Sequence, residues 1–261
     1  MHRVIVPIDF SETSLNAGRF TSQMLSGKKD SLVILYHNFE KKDEATESLN
    51  HLEKLKDEML KTGVENVECI TEMGGELIEN IARLAHTRRA TLVTMGITGK
   101  SAIKQILMGS NTLKLVNENL YPVMIIPAGA VFNEIKNVAF ASDFRDVELT
   151  TPSALISSVL EMFNPMLHIV NVNSEHYVSI TEEVQHSKEW FKEQFKNYKT
   201  EFYFIGMNDF HDAIDNFTRD YKIDMLVTIP KHDSNAGSLF KSTHTKKLVY
   251  HSHIPILAAH E

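Results

Sequence analysis

A loop between residues 96 and 110 has the residue types and spacing of an anion-binding site. Its key residues are Gly96, Gly99, Gly109 and Ser110, in the pattern G-x2-G-x9-G-S. An apolar run at 91–95 predicts a strand before the loop, and the pattern at 110–119 predicts a helix after it. Glycine lets the backbone approach a phosphate closely, and the unpaired N–H groups of a helix start point toward an anion. The segment therefore predicts a phosphate-binding site.

The loop lies in a sequence that repeats itself at an offset of about 133 residues. The matching segments are 3–14 with 137–148, 31–39 with 165–173, 90–96 with 224–230, and 121–127 with 254–260. In each half, five short apolar runs alternate with amphipathic helical patterns, which indicates a doubly wound α/β domain with a parallel sheet. We therefore expect one domain at 1–130 and a second at 131–261.

This fold predicts which side chains converge. In an open parallel sheet a ligand binds outside the carboxyl ends of the strands, where the strand order reverses. The converging residues are Pro7 and Asp9 after the first strand, His37 and Asn38 at the end of the second, Met95 and Gly96 at the end of the fourth, and Gly109 and Ser110 at the following helix. We expect these residues to line one crevice.

Three segments together resemble the universal stress protein family: VPIDFSETS at 6–14, GITG…MGSN at 96–111 and PVMIIP at 122–127. The resemblance covers both halves and implies a tandem member with two Rossmann-like domains. It implies a cytoplasmic, regulatory stress-response protein that binds ATP or another adenine nucleotide in its N-terminal domain, with or without Mg²⁺. It also implies an unidentified protein partner and an intrachain pseudo-dimer in which the last strands of the two halves pair, while other faces could support a homodimer.

The resemblance also implies a role for each site residue. Asp9 would contact the ribose hydroxyls, with capping of the helix that begins near Ser11 as the alternative. The other implied roles are adenine contact for Pro7 and Asn38, support beneath the nucleotide for Met95 and Gly96, and phosphate binding for Gly99, Gly109, Ser110 and Asn111. No catalytic residue is implied. Slow ATP hydrolysis and a scaffold without nucleotide remain the alternative functions.

The second half departs from the glycine pattern. The repeat alignment replaces Gly96 with Pro230, Gly99 with Asp233, Gly109 with Ser242 and Ser110 with Thr243. Proline has no N–H to donate, and a carboxylate repels a phosphate. The first half also has the smaller negative charge, −1 against −6. These differences predict a nucleotide site in the first half and a degenerate loop in the second.

Composition and charge exclude several classes of function. The net charge of −7 argues against general nucleic-acid binding, which needs a basic surface. The aromatic stretch at 190–204 is therefore interpreted as core, not as a base-stacking platform. A single cysteine, Cys69, excludes an internal disulfide and is typical of a reducing cytoplasm. The 13 histidines show no metal-ligand spacing, and no apolar run is long enough to span a membrane, so we expect neither a metal site nor membrane insertion.

Overall fold

The chain folds into two compact units, Met1–Glu134 and Ile135–Glu261. A computed structural model describes residues 1–97, 111–112, 114–116, 121–173, 181–230 and 252–259. Within these ranges, every helix is too short or too polar to cross a lipid bilayer.

The first unit alternates strands and helices. Its strands are β1 (His2–Pro7), β2 (Ser31–Phe39), β3 (Val67–Met73), β4 (Leu92–Ile97) and β5 (Val123–Pro127). Its helices are α1 (Glu12–Leu25), α2 (Ala45–Thr62) and α3 (Leu77–Arg88), with a short 3-10 helix at Lys42–Glu44 and helical residues at 111–112 and 114–116. This order places a helix between most successive strands, as parallel pairing requires.

The second unit repeats this plan. Its strands are β6 (Asn137–Ala141), β7 (Met166–Asn173), β8 (Thr200–Gly206), β9 (Met225–Thr228) and β10 (Ile256–Ala258). Its helices are α4 (Val147–Thr150), α5 (Ser153–Leu160), α6 (Glu182–Gln194) and α7 (Phe210–Asp220).

Each unit has a five-stranded parallel sheet, in the order β3-β2-β1-β4-β5 in the first and β8-β7-β6-β9-β10 in the second. The central strands are almost completely buried, because helices cover both faces of such a sheet. The expected doubly wound α/β fold is confirmed for each unit. The pseudo-dimer stays a prediction.

Amphipathic helices and aromatic side chains complete the two cores. On α2, the apolar stripe Leu52, Leu55 and Met59 is buried. In the second unit, Phe191 of α6 and Phe195, the residue that caps its C-terminus, are fully buried and pack edge-on against Phe140 of β6. The interpretation as core is therefore confirmed for Phe191 and Phe195, while the other aromatic side chains of the stretch are partly exposed.

The first helix differs between the units. In the first unit α1 runs without interruption from Glu12 to Leu25. Its counterpart is divided into α4 and α5 by Thr151 and Pro152. Proline lacks the backbone N–H that a helix interior needs and pushes the preceding residue out of helical conformation, and Thr151 is extended, with φ −106° and ψ 109°. The segment after the first strand is therefore built differently in the two halves.

Candidate functional site

A cleft opens at the carboxyl ends of the strands of the first unit, where the strand order reverses between β1 and β4. The space between its walls, part of it open solvent, measures about 680 Å³. Six of the nine expected site residues line it: Pro7, Asp9, Asn38, Met95, Gly96 and Asn111. The other three, Gly99, Gly109 and Ser110, lie outside the described residues. The topology thus brings the described candidates to one place, as the fold class requires.

One wall of the cleft is the first turn of α1. Ser11 is the N-cap, and its hydroxyl accepts a hydrogen bond from the backbone N–H of Ser14 at 3.3 Å. Ser11 also donates its backbone N–H, at 3.0 Å, and its hydroxyl, at 2.5 Å, to Oδ1 of Asp9. The capping role considered for Asp9 is therefore wrong, because Ser11 caps the helix and Asp9 accepts hydrogen bonds from it.

These contacts determine the charge state of Asp9. Burial raises the pKa of its carboxyl group, but hydrogen bonds from Ser11 and Ser14 outweigh that effect. The pKa of Asp9 consequently lies below its ordinary value. Asp9 is thus an ionised acceptor at the mouth of the cleft at neutral pH.

The second wall is formed by β4 and the helical residues that follow it. Gly96 packs directly on the start of α1, where a Cβ atom would lie 2.1 Å from the carbonyl oxygen of Thr13. Any side chain at this position would force two backbone segments apart. The buried Thr112 donates its hydroxyl to the carbonyl oxygen of Gly96 at 3.2 Å. Gly96 is therefore required for close packing of β4 against α1, apart from any contact with a ligand.

The third wall is the end of β2. Nδ1 of His37 lies 2.6 Å from the carbonyl oxygen of Ile8, which can only accept, so Nδ1 carries the proton. Asn38 donates its side-chain amide to the carbonyl oxygens of Glu72 and Gly74, at 3.1 and 2.8 Å. The amide hydrogens of Asn38 thus hold the neighbouring strand end, and the adenine contact that the family resemblance implies for Asn38 stays a prediction.

Comparison with known proteins identifies the family of the first unit. The family model described as the universal stress protein family matches residues 1–127. Residues 1–127 belong to the universal stress protein family. No curated protein matches the sequence.

Solved structures are similar to this chain over its whole length or over half of it. A universal stress protein from Archaeoglobus fulgidus DSM 4304 is 16% identical, with a TM-score of 0.72 over 99% of this chain and 98% of that chain. A protein of unknown function from Pseudomonas aeruginosa PAO1 is 12% identical, with a TM-score of 0.67 over 99% and 92%. A universal stress protein in complex with cAMP is 21% identical, with a TM-score of 0.41 over 49% of this chain and 98% of that chain.

The second unit has the same fold but differs at described positions that form the cleft of the universal stress domain. Backbone contacts define the equivalent positions: the N–H of Val93 donates to Pro122, as that of Leu226 donates to Pro255, both at 3.0 Å. The counterpart of Gly96 is therefore Ile229. The alignment of Gly96 with Pro230 is wrong by one residue, because the second unit is one residue shorter between its second and third strands.

Ile229 explains part of the difference between the units. It is buried and carries a branched side chain where Gly96 has none, so the contact that joins β4 to α1 has no equivalent. The matching helix is the one divided at Pro152. Phe144, the counterpart of Phe10, is buried among aromatic side chains of α6 and β8, including Phe191 and Phe204. The proposed pairs of Asp233, Ser242 and Thr243 with the glycine loop lie outside the described residues.

Sequence reasoning missed several lining residues. The hydroxyl residues Ser11, Thr13, Ser14 and Thr112 line the cleft, as do Tyr36 and Leu77. The run S-E-T-S at 11–14 directly after the first strand is a signal that could have found three of them. Leu77 gives no such signal, because its position depends on how α3 packs.

The charge of the described lining limits its chemistry. Among the described lining residues, Asp9 is the only carboxylate, and no lysine or arginine is present. The described residues also contain no group of three or more His, Cys, Asp or Glu side chains placed to hold a metal ion. This part of the cleft therefore suits a neutral, hydroxyl-bearing group.

Proposed function

We propose that the N-terminal domain binds ATP or another adenine nucleotide and that the protein is a regulatory member of a stress response. The observation that carries the proposal is the cleft at the strand-order reversal, where ionised Asp9 stands beside the hydroxyl-rich start of α1. Ligands of doubly wound folds bind at this place.

The walls of the cleft favour the nucleoside part of such a ligand. A carboxylate is an acceptor only, so Asp9 can bind the two hydroxyl groups of a ribose. Pro7 supplies apolar surface for a planar base, and Met95 supplies apolar surface beneath the nucleotide, since both are buried strand residues at the cleft. We assign the phosphates to Gly99, Gly109, Ser110 and Asn111, of which Asn111 is described as helical and lines the cleft.

Binding, and not catalysis, fits the described side chains best. Phosphoryl transfer uses a positioned base or water-orienting group and usually carboxylate ligands for Mg²⁺. Asp9 is the only carboxylate among the described lining residues, and its position suits the sugar. A nucleotide that binds without turnover can report its own concentration to a protein partner.

Isothermal titration calorimetry of the full-length chain with ATP tests the proposal. We expect one site per chain, because Ile229 takes the place of Gly96 and Pro152 divides the helix that matches α1. Asp9→Asn should weaken the binding of ATP and the binding of adenosine by the same factor, because it removes a charged acceptor at the ribose.

Asp143→Asn is the matched control. Oδ1 of Asp143 accepts the backbone N–H of Arg145 at 3.1 Å, as Asp9 accepts that of Ser11. We expect this variant to bind ATP like the wild type. Two equivalent sites per chain, or no binding at all, would refute the proposal.

A further inference from the structure

Two asparagines hold the same backbone carbonyl group beside the cleft. Nδ2 of Asn38, on β2, donates to the carbonyl oxygen of Gly74 at 2.8 Å. Nδ2 of Asn80, on α3, donates to that same oxygen at 2.9 Å. Asn38 also binds the carbonyl oxygen of Glu72 at 3.1 Å, and Asn80 is only 9% exposed. We call Asn38, Gly74 and Asn80 the asparagine clamp.

The clamp acts on a loop that contains two glycines, Gly74 and Gly75. Gly74 and Gly75 both have left-handed backbone conformations, with φ of +71° and +77°, and glycine loses the most conformational entropy on ordering. Glu76, the N-cap of α3, makes no side-chain capping hydrogen bond. A Cβ atom on Gly75 would lie 2.9 Å from Nδ2 of Asn80, so the loop and this side chain fit closely. The two asparagines therefore bind this loop through their side chains, in addition to the backbone hydrogen bond from the N–H of Gly74 to Phe39.

The loop determines where one wall of the cleft stands. Leu77 is the first residue of α3, directly after the loop, and it lines the cleft with Tyr36 and Asn38. This wall belongs to β2 and α3, whereas Gly96 and Asn111 lie on the opposite side of β1. With the phosphates assigned to the Asn111 side, the wall with Leu77 faces the base.

The second unit provides an internal comparison. The N–H of Met207 donates to Asn173 at 3.0 Å, as that of Gly74 donates to Phe39 at 2.8 Å, which identifies the equivalent loops. The clamp residues Asn38, Gly74 and Asn80 correspond to Val172, Met207 and Ala213. In place of the clamp, Asp209 caps α7 by accepting from two backbone N–H groups. The clamp thus occurs in the unit whose described residues form the cleft, and a helix cap takes its place in the other unit.

We propose that Asn38 and Asn80 are positioning residues that fix the Gly74–Glu76 loop and so set the wall that selects the base of the bound nucleotide. This inference rests on the proposed nucleotide binding. The asparagines act through the loop and Leu77, and the amide hydrogens of Asn38 are used on the carbonyl groups of Glu72 and Gly74. The recognised group is a planar purine base attached to ribose.

Two measurements on the full-length chain test the clamp. Asn38→Val and Asn80→Ala replace each residue with its counterpart in the second unit. Hydrogen exchange without ligand should show faster exchange at residues 74–80 in either variant, because the loop loses a hydrogen bond. Calorimetry with adenosine, ATP and GTP should show that the affinities for adenosine and for ATP both fall by about tenfold. The preference for ATP over GTP should also become smaller.

The double variant and a control sharpen the test. Both asparagines donate to the same oxygen atom. The double variant should therefore lower the affinity for adenosine by a smaller factor than the product of the two single-variant factors. Asn66→Ala is the control, since Asn66 also donates its amide to a backbone carbonyl, that of Ser31 at 3.1 Å, before β3 begins. Asn66→Ala should leave base preference unchanged.

The outcomes separate this inference from the proposed function. If the wild type binds ATP and both clamp variants keep its adenosine affinity and base preference, the clamp inference is overturned while nucleotide binding stands. Unchanged exchange at 74–80 in both variants also overturns it. If the wild type binds no nucleotide, the proposed function fails, and with it the base-selecting role.

Discussion

Substitution of Gly96 by alanine is the sharpest test of how this domain builds its cleft. The added Cβ would lie 2.1 Å from the carbonyl oxygen of Thr13 and 2.7 Å from its carbonyl carbon. Carbon–oxygen contacts in proteins are normally about 3.3 Å or longer, so β4 and α1 must separate by roughly 1 Å. Both contacting groups are backbone and cannot rotate away. We expect the N-terminal unit to lose about 1–3 kcal/mol of unfolding free energy, the usual cost of overpacking.

The same movement should affect the site. The first turn of α1 carries Ser11, which holds Asp9 through two hydrogen bonds. Displacing that turn should weaken ATP binding along with stability. Urea denaturation measures the free energy, hydrogen exchange assigns the loss to the first unit, and calorimetry measures ATP affinity.

Gly18→Ala is the matched control, because Gly18 lies in α1, the helix that Gly96 contacts, and the substitution adds the same methyl group. A Cβ there would meet Leu55 at 3.4 Å and Met59 at 3.5 Å, which is ordinary van der Waals contact. Alanine is favoured over glycine in a helix by up to about 1 kcal/mol, so this variant should be as stable as the wild type or more so. If Gly96→Ala matched Gly18→Ala in stability and ATP affinity, the close-packing argument would be refuted.

Two further predictions concern capping and pH. Ser11→Ala should destabilise the first unit by about 1 kcal/mol, because it removes the helix cap. It should also raise the pKa of Asp9 in an NMR titration, because it removes the hydroxyl that stabilises the carboxylate. Thr181→Ala, which removes the cap of α6, should leave the pKa of Asp9 unchanged. Burial lowers the pKa of His168 below its usual 6.5. As the pH falls below about 6.5, His168 is therefore protonated in the unfolded chain before it is protonated in the folded chain. The second unit should consequently lose stability on acidification. His168→Gln should flatten that dependence in urea denaturation followed by Trp190 fluorescence, and an unchanged slope would contradict the assignment.

The amino-acid sequence alone determined the repeat, the fold class and the place of the site. Short apolar runs and helical periodicity are local signals, and the rule for doubly wound sheets converts their order into a position for a ligand. Pro7, Asp9 and Asn38 could therefore be named as neighbours although they come from different elements.

Only the tertiary structure decided what these residues do. The counterpart of Gly96 is Ile229 because backbone contacts, not residue similarity, fix the register of β9. Asn38 holds a loop because Gly74 comes within 2.8 Å of it in space. Gly96 is needed because the backbone of Thr13 lies against it. Such contacts join residues far apart in the chain, and local sequence patterns contain no information on their distances.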